Sequence, residues 1–208
     1  ANSLTHKVLL NRCYGDIPKI VIQAGKACAN GLMDSGVLPV LKHIPGHGRA
    51  DVDSHLELPK VMTSLKELSE SDFSIFKSLN DIPLGMTAHV LFEKIDKTFP
   101  ATQSKVIIEI IRKQIGFRGL LMTDDLSMKA LNGTLEEKVV KSLNAGCDLI
   151  LHCNGEMPEM IEIANTCSSI SADKENLLED VLSKRKTGSS IDIQMLINEY
   201  HTIIKNVN

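Results

Sequence analysis

The stretch SKVIIEIIRKQIGFRGLLMTDD, Ser104 to Asp125, decides the fold class. Its first part, Ser104–Ile115, is amphipathic at helical spacing and stops at Gly116. Gly119-Leu120-Leu121-Met122-Thr123 follows as an apolar run too short for a helix, and it ends in Asp124 and Asp125. A run of this kind, with no alternation of polar residues, reads as a strand buried on both faces. A helix feeding such a strand is the repeating unit of a parallel sheet covered by helices.

The unit recurs in both directions. Upstream, Ile82–Ala88 is a strand leading into His89, and the apolar residues of 64–80 predict a helix before it. Val37–Leu41 is an earlier strand that runs into Lys42, His43 and a Gly/Pro-rich loop. The first helix is expected to start with Asp16 as N-cap and Pro18 in its first turn, and to end near Gly36. Downstream, a helix over 135–145 stops at Gly146 and Asp148–His152 is the fourth strand. Helices over 156–169 and 173–186, a polar break at Lys186–Ser190 and a closing helix at 191–205 complete the pattern. The strands end in Lys42 and His43, His89, Asp124 and Asp125, and His152 with Asn154, so reactive side chains gather at one end of the sheet, where α/β folds build sites. No GxGxxG follows a strand and no Walker loop is present, which argues against dinucleotide and P-loop chemistry.

Composition agrees with a folded domain. The 208 residues are 43% hydrophobic and 24% charged, with 23 Lys+Arg against 26 Asp+Glu and a net charge of −3. That balance argues against nucleic acid or an anionic membrane as the main partner. Five Phe, two Tyr and no Trp leave few rings to stack on a long polysaccharide or a single strand, so a small ligand held by polar groups suits the chain better. The five cysteines, at 13, 28, 147, 153 and 167, form no CxxC, and reduced thiols in a cytoplasm are expected. The first residues hold no apolar run long enough for a signal peptide, and with no initiator Met the start is expected to be processed or truncated.

The densest chemistry is Lys42-His43-Ile44-Pro45-Gly46-His47-Gly48-Arg49-Ala50-Asp51-Val52-Asp53-Ser54-His55. Asp53 and His55 can share one side of a turn, where a carboxylate on one imidazole nitrogen leaves the other to pass a proton. Each element also has a plainer reading. Lys42 and His43 could satisfy carboxylates at a strand end, His47 between two glycines could fold its loop, and Asp53 with His55 could be a surface turn. Their concentration on one loop favours function. Asp124 and Asp125 are costly to hold side by side without cations, which Lys42 and the His-bearing loop could supply. Capping of the next helix is assigned to Asp125 or Ser127, and chemistry to Asp124. A metal-dependent hydrolase competes, with His43, His47, Asp51, Asp53, His55, Asp124 and His152 as N/O donors. Against it, no HxH or HExxH pair is present.

KHIPGHGRADVDSH at 42–55 and GLLMTDDLSM at 119–128, with MTAHV at 86–90 between them and AGCDLILHCN at 145–154 after them, resemble the bacterial β-N-acetylhexosaminidases of glycoside hydrolase family 3. The likeness runs from about Asn11 to the 150s. It implies an α/β fold of the (β/α)8 barrel type, of which only the C-terminal four strands or so are present. Residues 1–186 are expected to form that C-terminal portion of the catalytic barrel, and 187–208 a C-terminal helix or tail. A whole barrel takes about 250 residues. The resemblance also implies a retaining glycosidase that removes terminal GlcNAc from cell-wall muropeptide fragments. Asp124 matches the nucleophile, His55 the acid/base and Asp53 its dyad partner, while Arg12, Lys42 and His43 match sugar-binding positions. Ile44 stands where Phe is commoner in the motif. No cofactor and no metal are implied, nor any nucleic acid or membrane, and the setting is cytoplasmic. The missing half-barrel implies a second chain that supplies it, the product of a split or truncated gene, or a part of a longer protein; the alternative function is an inactive or partner-dependent remnant with a binding or assembly role.

Overall fold

The computed structural model describes residues 5, 7, 12–50, 52–187 and 192–205. Asn11, Asp51 and most of the expected polar break at 186–190 lie outside them. Helix α1 (Pro18–Asp34) precedes strand β1 (Val40–Ile44), and the short β2 (Lys60–Val61) leads to helices α2 (Leu65–Glu70) and α3 (Asp72–Lys77). Strands β3 (Leu84–Thr87) and β4 (Leu91–Phe92) come next, then α4 (Lys105–Ile110), β5 (Leu120–Asp125), α5 (Leu135–Ala145) and β6 (Leu149–Leu151). Helices α6 (Met157–Thr166), α7 (Ala172–Ser183) and α8 (Ile193–Lys205) close the described chain.

The main sheet has four strands in the order β1-β3-β5-β6, all pairs parallel. Each neighbour in the sheet is the next long strand in sequence, which is the order of a barrel wall. Val40 pairs with Leu84, and Leu84 with Leu120, so the polar strand ends emerge at one level. A fully buried set of Ile44, Ile107, Ile111, Ile115, Phe117 and Leu121 packs the sheet against its helices. Each such side chain contributes about 1.5–3 kcal/mol. Gly85 is required by this packing, since a Cβ there would stand 2.6 Å from Phe117 and 2.8 Å from Ile44.

At the opposite end of the sheet, Arg112 donates to the carbonyls of Phe117 (3.2 Å) and Gly119 (2.8 Å) and pairs with Asp148 at 2.5 Å. Asp148 also accepts from the Leu121 amide at 2.9 Å and from Lys174, so the starts of β5 and β6 are held together.

Several expectations are corrected. β1 starts at Val40 rather than Val37 and ends through Lys42, His43 and Ile44, because its pairing with β3 runs from Val40 to Ile44. Ile17, not Asp16, occupies the N-cap of α1, and no side chain caps it. The helix expected over 64–80 breaks at Ser71, whose backbone leaves helical geometry. Neither Asp125 nor Ser127 caps a helix: Thr134 does, in a reciprocal capping box with Glu137. The helix over Ser104–Ile115 is regular only to Ile110 and finishes as a π turn before left-handed Gly116. A small parallel pair, β2 with β4, was not anticipated. It ties the segment after β1 to the segment after β3.

Among the described residues β1 and β6 are each paired on one side only, and Val40 at the start of β1 is exposed. Helix α8 buries none of its residues.

Candidate active site

The site gathers where β1 and β5 end. His43 projects from β1 and its Nε2 lies 3.5 Å from Asp124 Oδ2 at the end of β5. Burial pushes the His43 imidazole down to about 3, against the pull of Asp124 and with help from His47, Lys42 and Arg12. At neutral pH it is therefore an uncharged ring, able both to donate and to accept a hydrogen bond. Asp124 receives no cation from Lys42: among the described residues Lys42 forms no ion pair. Its carboxylate accepts the Asp125 amide at 2.9 Å.

Arg12, Lys42 and His43 are brought together. They share the wall of a cavity of about 420 Å³ with Tyr14, His47 and Phe76. That volume suits a single sugar-sized ligand. Asp124 is not part of this wall.

The chain after β1 turns back over the strand ends. Arg49 anchors it, with Nε 2.8 Å from Asp72 and its terminal nitrogens on Ser71 and Glu67. Further on, His55 Nδ1 stands 2.7 Å from Asp53 Oδ1, and the His55 amide donates to the same oxygen at 3.0 Å. The Asp53 carbonyl closes the turn by accepting from the Leu56 and Glu57 amides. A carboxylate can only accept, so Nδ1 carries the proton and Nε2 is directed away from the pair. Asp53 is largely covered, whereas the His55 side chain is 59% exposed.

His47 lies between the two groups. It is buried, its ring meets that of His43 edge-on at 5.7 Å, and its Nε2 is 3.2 Å from the Ser54 hydroxyl. Burial lowers its affinity for a proton, while Asp124 and Asp53 both oppose that shift. Among the described residues no hydrogen bond or ion pair joins His55 to Asp124.

The remaining strand-end residues have other partners. His89 is fully buried between the Thr102 hydroxyl (2.7 Å) and the Asp125 carbonyl (3.1 Å), and burial holds it neutral. It braces the end of β5 from within the core. Asp125 accepts from the Ser127 and Cys153 amides and from the Ser127 hydroxyl. Burial works against its charged form, but those hydrogen bonds outweigh it and hold the carboxyl below the usual range. His152 faces Glu159 at 3.3 Å. Among the described residues no three His, Cys, Asp or Glu side chains converge as metal ligands. Sequence reasoning missed the Thr102 brace and the Ser54 contact, since both join residues that only the fold brings together.

The model of the glycosyl hydrolase family 3 N-terminal domain matches residues 5–184. The chain belongs to that family. A beta-hexosaminidase of Hydrogenovibrio crunogenus is 39% identical over 153 residues, covering 71% of this chain and 43% of the relative. One from Neisseria meningitidis serogroup B is 36% identical over 160 residues, covering 74% and 44%. Among solved structures, a family 3 beta-N-acetylglucosaminidase from Paenibacillus sp. superposes with a TM-score of 0.78 at 29% identity, over 90% of this chain and 39% of that one. NagZ from Neisseria gonorrhoeae in complex with N-trifluoroacetyl-D-glucosamine gives 0.76 at 31% identity, over 86% and 52%. The chain thus spans less than half the length of these curated relatives, and its four strands form a partial barrel of the family's α/β type.

Proposed function

We propose that residues 1–186 are the catalytic portion of a retaining β-N-acetylglucosaminidase, and that 187–208 are a C-terminal tail outside it. The observation that carries this reading is the pairing of Asp53 with His55 at 2.7 Å on a turn that the His47–Ser54 hydrogen bond ties to the end of β1. In the first step an Asp124 oxygen attacks the anomeric carbon, the glycosidic bond breaks, and His55, carrying a proton on each ring nitrogen, gives the one on Nε2 to the leaving oxygen and is left as the Nδ1–H tautomer. In the second step His55 takes a proton from water, the water oxygen attacks the anomeric carbon, and the ester to Asp124 breaks. A His in place of the second carboxylate of most glycosidases suits this shuttle near neutrality. Asp53 holds the tautomer that leaves Nε2 free.

Arg12, Lys42 and the uncharged His43 would hold sugar hydroxyls in the cavity they share. The substrate we favour is a GlcNAc-terminated muropeptide fragment; a related solved structure is a complex with N-trifluoroacetyl-D-glucosamine, an analogue of its terminal sugar. No cofactor enters this mechanism. The five free thiols suit a cytoplasmic setting.

The open edges at β1 and β6 favour one addition to this reading: further strands from outside these 208 residues, which a second chain could supply. The test is hydrolysis of 4-nitrophenyl N-acetyl-β-D-glucosaminide by the purified chain in EDTA, alone and with a complementary half-barrel from a relative. Turnover that disappears in Asp124→Ala supports the mechanism. A complete barrel that binds the sugar yet releases no nitrophenol would leave the chain a non-catalytic remnant.

A further inference from the structure

The dyad turn is mostly solvent-exposed, yet its middle residue is not. Ser54 is 5% exposed between Asp53 and the outward-facing His55. Bonds from the Asp53 carbonyl to the Leu56 and Glu57 amides, and from the Asp53 carboxylate to His55, fold the turn onto itself. The His47–Ser54 hydrogen bond does something different. It is buried, spans seven positions and connects the turn to the end of β1.

His47 is itself well fixed. Its carbonyl accepts the Ala50 amide at 3.0 Å, the Gly46 amide before it bonds the His43 carbonyl at 2.8 Å, and its ring edge abuts His43. Because His43 contacts Asp124, an unbroken series of side chains runs from Asp124 through His43 and His47 to Ser54. We propose that His47 is a positioning residue: through Ser54 it sets where the Asp53–His55 pair stands relative to the strand end that carries His43 and faces Asp124. This inference rests on the acid/base reading of that pair. It goes beyond that reading by giving a role to a histidine that is neither the nucleophile nor a member of the acid/base pair.

Two features favour positioning over simple packing. The contact is polar and directional inside a covered site, where an unmade bond costs more than at the surface. It also falls on the residue between the two dyad members, so a shift of Ser54 moves both.

The test is amide hydrogen exchange in the purified chain, comparing wild type with His47→Ala, Ser54→Ala, the double variant and His47→Gln. The single variants are expected to speed exchange at His55, Leu56 and Glu57 by about tenfold or more, as loss of one buried hydrogen bond implies. The β1 and β3 amides keep their protection. The double variant behaves like either single one, because one contact has been removed in each. His47→Gln, whose Nε2 can reach the same hydroxyl, recovers most of the protection. Unchanged exchange in the turn, additive single effects, absence of rescue by Gln, or equal loss across β1 and β3 would each overturn the proposal. Kinetics of Asp124→Ala and His55→Ala test the catalytic reading separately, so unchanged turn exchange alongside those losses would sink the positioning role alone.

Discussion

At the scale of single residues, the two candidate catalytic groups differ in what their removal does. Asp124→Ala takes away the atom that forms the covalent bond, whereas His55→Ala takes away a proton that only some leaving groups need. A nitrophenolate leaves almost unaided. We expect His55→Ala to slow an alkyl or sugar leaving group by roughly 10²–10⁴-fold and the nitrophenyl substrate far less in the first step. Equal losses on both substrates would remove His55 from the acid role. The pair itself was legible, because residues two apart in a turn can meet without long-range folding. The contact of His47 with Ser54 was not, because loop geometry decides it. A second residue-scale expectation concerns acid. His43 is held to about 3 by burial, and His47 and His89 are lowered for the same reason. On unfolding each takes up a proton at any pH between its lowered value and the ordinary 6.5, so the unfolded state binds more protons there. Stability is therefore complete above about pH 6.5 and declines as pH falls towards 3. The carboxylates held low, Asp96 and Asp125, add their loss only at more acid pH. Thermal melts between about pH 7.5 and pH 4.5 isolate the imidazoles. His43→Gln should flatten part of that slope, and a wild-type melting temperature constant over this range would contradict the buried neutral state.

At the scale of elements, legibility followed locality. Gly116 and Gly146 stop their helices with left-handed backbones, and the apolar runs of β3, β5 and β6 were recognisable because nothing polar interrupts them. The misses are cases where tertiary pairing overrode local signals. β1 extends through Lys42 and His43 because β3 offers partners as far as Thr87, although both side chains look like loop residues. The break at Ser71 is invisible in an apolar pattern that continues through Phe73 and Phe76. It is needed because the Ser71 hydroxyl and the Asp72 carboxylate receive Arg49 from the loop. β2 and β4 are two residues each, too short to carry a pattern. The joint between β5 and β6 gives the sharpest stability test. Asp148 is 7% exposed in its side chain and engages Arg112, Lys174 and the Leu121 amide. Asp148→Ala leaves the Arg112 guanidinium facing carbonyls with its charge uncompensated. A loss of about 3–5 kcal/mol in chemical denaturation is expected. A change below about 1 kcal/mol would show the network to be no stronger than a surface pair.

At the scale of the whole molecule, the sheet is the unresolved part of the design. Parallel strands are normally covered on both faces and paired on both edges, yet β1 and β6 each lack a neighbour among the described residues. Val40, the first residue of β1, is 37% exposed. An edge of this kind is a template for another strand, and the order β1-β3-β5-β6 leaves both ends available for a half-barrel of matching curvature. A charged residue is the device natural sheets use to keep such an edge unpaired. Val40→Lys should therefore weaken association with a complementary half while leaving Asp124, His43 and the Asp53–His55 pair in place. Sedimentation velocity of an equimolar mixture of the two halves measures it directly. The wild-type chain should run as a complex with the complementary half and acquire turnover, and Val40→Lys should lose both in parallel. If the variant associates as tightly as the wild type, β1 is not the edge at which strands are added. If the wild type turns substrate over as a monomer, the residues needed for chemistry all lie within this chain, and the partner is dispensable.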